Sequence, residues 1–169
     1  AERVEYLQTM KSLVEQAQEF DGLTAIVCTE KSRVRWLDKQ LEGLFAESGN
    51  GAADCAADGV ADNGAAQANG AAQANGAVQA NGAAQAKPRT GVKVLTSHDS
   101  LPAKGVVLLD LALAKGLEFD QVIVADAQGE VYKADGISRR RLYTALSRAM
   151  HHVIVVSQGK MTPLLSKLL

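Results

Sequence analysis

With 169 residues and a formal charge of −1, the chain is one domain's worth of protein, with no whole-molecule pull toward nucleic acid. Cys28 and Cys55 form no CxxC pair, and His98, His151 and His152 give no ligand spacing, which argues against a zinc site and a disulfide framework. No apolar run is long enough to cross a bilayer and no signal peptide is present, so free thiols in a reducing cytoplasm are expected.

The opening AERVEYLQTM lacks an initiator Met, which suggests a piece of a longer polypeptide. Val4, Leu7, Met10, Leu13, Val14 and Ala17 keep helical spacing and predict a helix over Val4–Phe20, broken by Asp21-Gly22. LTAIVC (Leu23–Cys28) is short and rich in β-branched residues, as in a buried parallel strand. Cys28 then reads as a small buried hydrophobe. Thr29 is the expected cap of a helix over Ser32–Ala46, whose stripe is Val34, Leu37, Leu41 and Leu44. Trp36 on that helix reads as partly buried packing.

Residues 49–88 change character. AAQANG occurs at 65–70 and 71–76, and AVQANG follows at 77–82. A six-residue period raises the possibility of a β-helix, but Val78 is the only bulky aliphatic in these repeats. Such small side chains do not repay the entropy of ordering the backbone. A flexible, solvated insertion is expected here.

Beyond the tract, strands are predicted from Val92, over Gly105–Leu111, over Gln121–Ala125 and over His152–Ser157. A helix is predicted over Arg139–Met150, and a last one over Thr162–Leu169 with Thr162 as N-cap and Pro163 in the first turn. Strands alternating with helices predict an α/β fold, a central parallel sheet flanked by helices in three layers. Ligands of such sheets sit beyond the carboxyl ends of strands, which draws attention to the loops after Cys28, Leu111 and Ala125.

Leu142, Ala145, Leu146, Ala149 and Met150 form a core stripe on the predicted helix, and Arg141 and Arg148, seven residues apart, then share one flank of it. A planar guanidinium so held suits the charge on a transferring phosphoryl group. A solvated basic face fits the same spacing equally well. Gly116 permits a turn between Lys115 and Glu118, which by themselves would be a weak surface ion pair. His151 and His152 point to opposite faces of a strand, and His98, Asp99 and Ser100 are sequence neighbours with no nucleophile elbow.

Two segments together carry a family resemblance. LAKGLEFDQVIVADA (Leu113–Ala127) and RRRLYTALSRAMHHVIVV (Arg139–Val156) resemble motifs V and VI of the UvrD/Rep-like superfamily 1 DNA helicases. The resemblance covers Val92–Leu169 well and Gly22–Leu44 loosely. It implies the C-terminal RecA-like domain of a longer ATP-dependent motor. By its match to motif VI, Arg148 is implied as the catalytic arginine finger toward the γ-phosphate. Arg140 and Arg141 match the basic pair before the Tyr, with interdomain or nucleotide contacts implied. Glu118 is implied at the nucleotide sugar, and Lys115 near the phosphates and the domain junction, on either side of Gly116. No G-x-x-x-x-G-K-[ST] phosphate loop occurs in the chain. An N-terminal RecA-like domain of the same polypeptide would bring that loop, the Mg²⁺-binding acid and the catalytic base, so ATP with Mg²⁺ is implied for the whole protein. The chain alone is expected to hydrolyse nothing.

The motif V loop departs from the family pattern T-x-H-x-x-K-G. Asp110 and Ala112 stand where the Thr and His that help hold single-stranded DNA would be. An acid facing a phosphate backbone is expected to repel it. The departure and the ending YTALSRAMHHVIVVSQGKMTPLL resemble the HelD (helicase IV-like) branch, which implies RNA polymerase as a partner besides DNA. A conventional unwinding helicase and a catalytically inactive RecA-like module docking on RNA polymerase are the rival readings. An unrelated dinucleotide-binding domain is set aside, because no Gly-rich fingerprint follows the first strand. No residue is assigned to nucleic acid.

Overall fold

The computed structural model describes residues 2–48 and 90–166. The chain divides into a unit of residues 1–50 and 87–169 and a second unit of residues 51–86. The second unit, with its repeats and Cys55, lies outside the described residues, and so does the expectation of a flexible insertion.

In chain order the elements are α1 (Glu2–Glu19), β1 (Leu23–Cys28), α2 (Lys31–Ser48), β2 (Val92–Val94), β3 (Gly105–Asp110), α3 (Leu111–Ala114), β4 (Phe119–Val124), α4 (Gly136–Leu146) and β5 (Ala149–Val155). The five strands form one sheet in the order β2-β3-β1-β4-β5. Every pairing is parallel. Helices cover both faces, the three-layer α/β arrangement expected from the alternating pattern.

β1 shows why the sheet is the core. All its residues are buried, and alternate side chains serve opposite faces. Ile26 and Cys28 pack with Met10 and Val14 of α1 and Leu37 and Leu41 of α2. Ala25 and Val27 pack on the other side with Phe119, Leu142 and Ala145. Gly22, just before β1, is fixed by close approach: a Cβ there would lie 2.5 Å from the Phe20 ring and 2.9 Å from Asp120 Oδ2, which accepts from the Leu23 N–H.

Several expectations need correction. The buried face of α1 is Tyr6, Met10, Val14 and Ala17, while Val4 is 60% exposed. Tyr6 reaches the sheet, donating from its hydroxyl to the Ala125 carbonyl at 2.6 Å, and this turns Val4 outward. Thr29 does not cap α2. Its N–H donates to Asp126, and the Glu30 carbonyl instead accepts from the Arg33 and Val34 N–H groups.

α4 starts earlier and stops earlier than the apolar stripe implied. Asp135 caps it, accepting from the N–H groups of Ile137 and Ser138 at 2.9 and 2.8 Å. At its other end Ser147 turns the chain, and the Arg148 carbonyl accepts from the Phe119 N–H at 2.9 Å. That bond draws Ala149 and Met150 into β5, where Met150 is 54% exposed. Arg141 and Arg148 therefore do not share a helix flank. β5, predicted over His152–Ser157, begins earlier and is the sheet's edge, and His151, His152 and Val153 are exposed on it. The last predicted helix is a turn as far as residue 166, because the Thr162 hydroxyl donates to the Tyr132 carbonyl at 2.6 Å and holds the chain there.

Trp36 packs as expected. It lies beside Tyr6, and the guanidinium groups of Arg3 and Arg33 stand over its ring at 5.2 and 4.9 Å. Asp99 is spent locally: it accepts from the Thr96 N–H and hydroxyl, and those bonds hold its carboxyl below the usual range.

Candidate functional site

The candidate residues lie along one seam, between the segment from Asp110 to Glu118 and helix α4. Asp110 begins it. Its carboxylate accepts from the Leu113 N–H at 2.8 Å and so caps the single turn of α3. The residue is 6% exposed. That bond turns one carboxylate oxygen onto the backbone of α3.

After α3 the chain passes Lys115 and reverses at Gly116, whose φ is +87°. A Cβ at Gly116 would meet nothing within 4 Å, so the glycine is required by backbone conformation and not by space. Leu117 is half-buried, Glu118 is exposed, and Phe119 enters the sheet fully buried.

Opposite runs α4. Arg139, Arg140 and Arg141 are all exposed on its first turns. The side chains of Lys115, Arg140 and Arg141 line a pocket of about 530 Å³ together with Thr29, Ala112 and Thr144. This pocket opens beside the carboxyl ends of β1 and β3, at two of the loops the sheet rule singled out.

Arg148 ties off the seam at its other end. Its guanidinium donates to the carbonyls of Thr144 at 3.2 Å and Leu117 at 3.3 Å, and to the Ser147 hydroxyl. Phe119 and Ala149 are register partners at the start of β4 and β5, so Leu117-Glu118 and Ser147-Arg148 lie side by side off the amino ends of those strands. Two sequence motifs 31 residues apart are thus joined by direct bonds. Thr144 links the two ends, lining the pocket with its side and holding Arg148 with its carbonyl. Lys115 and Arg141 stand at the pocket, whereas Glu118 and Arg148 stand together below it.

A polar cluster that the sequence did not point to lies behind Thr29. Asp126 follows β4, is 1% exposed, and accepts from the Thr29 N–H through Oδ2 at 2.7 Å. Its Oδ1, the Thr29 hydroxyl and the Tyr132 hydroxyl are all buried without a hydrogen bond of good geometry. Burial pushes the Asp126 carboxyl above the usual range and the Tyr132 hydroxyl up to about 12. The Gln128 amide satisfies both its ends only when it donates to the Asp126 carbonyl and accepts from Arg33. No signal in the sequence marks this cluster, because Thr29 and Asp126 are 97 residues apart.

Among the described residues no group of three or more His, Cys, Asp or Glu side chains could hold a metal ion. No helix among them is long and apolar enough to cross a membrane.

No curated protein matches the chain. Among solved structures, the C-terminal domain of a possible DNA helicase from Lactobacillus plantarum WCFS1 aligns with a TM-score of 0.61 at 24% identity, over 97% of this chain and 73% of that chain. That likeness is one of fold. Residues 105–156, the stretch that builds both walls of the seam, match the family model of the UvrD-like helicase C-terminal domain.

Proposed function

We propose that this chain is the C-terminal motor domain of an ATP-dependent superfamily 1 DNA helicase or translocase. It supplies one wall of an ATP site whose other wall is an N-terminal RecA-like domain of the same polypeptide. The observation that carries this reading is the bond from Arg148 to the Leu117 carbonyl, which sets a guanidinium beside Glu118 at the end of the seam. Arg148 is the finger toward the γ-phosphate and Glu118 the contact to the sugar. Lys115 and Arg141, on either side of the pocket, receive phosphate oxygens, and Gly116 shapes the turn between Lys115 and Glu118.

The chemistry follows from charge and position. A phosphoryl group in transfer spreads negative charge over its equatorial oxygens, and a guanidinium held by backbone carbonyls meets that charge without reorganising. The three carbonyl and hydroxyl acceptors of Arg148 leave part of its fork of donors for a ligand. With ATP and Mg²⁺ bound between the two domains the cleft would close, and after hydrolysis it would open, so that phosphate chemistry becomes domain motion.

Within the superfamily we place the chain nearest the HelD branch. Asp110 and Ala112 offer no donor to a nucleic-acid strand, the first being committed to the cap of α3 and the second carrying none. RNA polymerase is then a partner of the whole protein besides DNA. The test is ATP turnover by the full-length parent with and without single-stranded DNA. Strong stimulation assigns a conventional unwinding helicase. Turnover indifferent to DNA assigns the polymerase-associated branch. No turnover under either condition contradicts the motor reading.

A further inference from the structure

Asp126 takes no part in the seam, yet it is bonded to Thr29, a residue of the pocket wall. The acid lies behind that wall and is only 1% exposed. A buried carboxylate needs most of its lone pairs satisfied, and here Oδ2 has the Thr29 N–H while Oδ1 has no hydrogen bond of good geometry, although the Thr29 hydroxyl lies close enough to favour the ionised form. The Thr29 and Tyr132 hydroxyls stand close to each other and to the acid, but neither makes a hydrogen bond of good geometry. Each such orphan is costly, so the cluster as it stands is not at its best hydrogen-bonded arrangement. A proton on Oδ1 turns an unpaired acceptor into a donor for one of the neighbouring hydroxyls.

We propose that Asp126 is a proton-linked sensor of the cationic pocket, taking up one proton from solvent when an oxyanion occupies the pocket. The proposal rests on the reading that this pocket receives phosphate. A negative charge entering between Lys115, Arg140 and Arg141 disfavours a second one behind Thr29, in a region of low dielectric. Protonation removes that second charge.

The other groups facing the acid do not substitute for it. Arg33 of α2 favours the ionised form, but its guanidinium is shared with the Trp36 ring and Gln158. Tyr6 of α1 has already committed its hydroxyl to the Ala125 carbonyl. Cys28 of β1, pushed up by burial, stays a neutral thiol. Asp110 at the end of β3 is bound to its own helix, and burial keeps Tyr132 neutral. Of the two buried acids here, Asp126 is the one with a carboxylate oxygen that lacks a hydrogen bond of good geometry.

The test is an NMR titration of the chain with sodium sulfate, a phosphate-shaped ion of constant charge, at about pH 5 and about pH 8. Saturable shifts are followed at Thr29, Lys115 and Arg141. Sulfate should bind roughly tenfold tighter at the lower pH, and Asp126→Asn should flatten that dependence while keeping all three histidines. By reciprocity, sulfate should raise the titration midpoint of the wild-type Asp126 side-chain carbonyl carbon, a measurement that stands even if the variant fails to fold. Saturable binding with an unmoved Asp126 midpoint, or equal pH dependence in both proteins, overturns the sensor and leaves the pocket an anion site. Absence of saturable shifts at either pH overturns both.

Discussion

Replacing Gly116 tests whether the seam depends on one backbone conformation. At φ +87° an L residue carries a steric penalty with its own carbonyl, whereas a Cβ built there meets nothing within 4 Å. The cost of Gly116→Ala is therefore conformational, about 1–2 kcal/mol. For a domain of this size that lowers the melting temperature by roughly 2–8 °C. Because no neighbour is struck, Ser and Leu at the same position should cost nearly what Ala costs, and Asn, which tolerates this region, should cost less. Gly22 is the control. There a Cβ would lie 2.5 Å from the Phe20 ring, so the penalty should climb with side-chain size. Urea denaturation of the two series reads both patterns. A neutral Gly116→Ala, or a Gly116 series that steepens with size, would refute the assignment of this glycine to conformation.

Further outcomes follow from the same geometry. Phe119→Ala empties a fully buried site between β4 and α4 and should cost about 3–5 kcal/mol in chemical denaturation. A loss below about 1 kcal/mol would mean that the core closes over the gap. Asp135 is held below the usual carboxyl range by its bonds to the Ser138 backbone and side chain and to the Ile137 N–H. Its contribution to α4 is thus present above the unfolded pKa and is lost as pH falls through the lower folded pKa. Protection factors for the Ile137 and Ser138 amides, taken against intrinsic exchange at each pH, should fall on acidification in the wild type and be low at every pH in Asp135→Ala. Equal protection in the two proteins would show that the cap is dispensable.

β1 was legible to the residue, because its shortness and β-branched content between Gly22 and Thr29 favour a strand buried on both faces. The seam's two walls were legible as motifs. Their contact was not, since spacing put Arg148 on a helix that ends two residues before it. The start of α4 was missed because its cap, Asp135, lies four residues before the predicted first helical residue, Arg139. The single turn of α3 is too short to show a period, and only the Asp110 cap makes it a helix. The Asp126 cluster depends on a bond between the ends of β1 and β4, which no local pattern records. Local chemistry thus located the strands, and tertiary bonds decided where the helices begin and end.

The central claim is that Arg148 completes an ATP site shared with another domain. The direct measurement is ATP turnover of the full-length parent, wild type against Arg148→Ala, with circular dichroism confirming that both are folded. The account predicts a loss of at least about a thousandfold, the scale of an arginine finger. Unchanged turnover in a folded variant would contradict it and leave Arg148 as no more than the tie between Leu117 and Thr144.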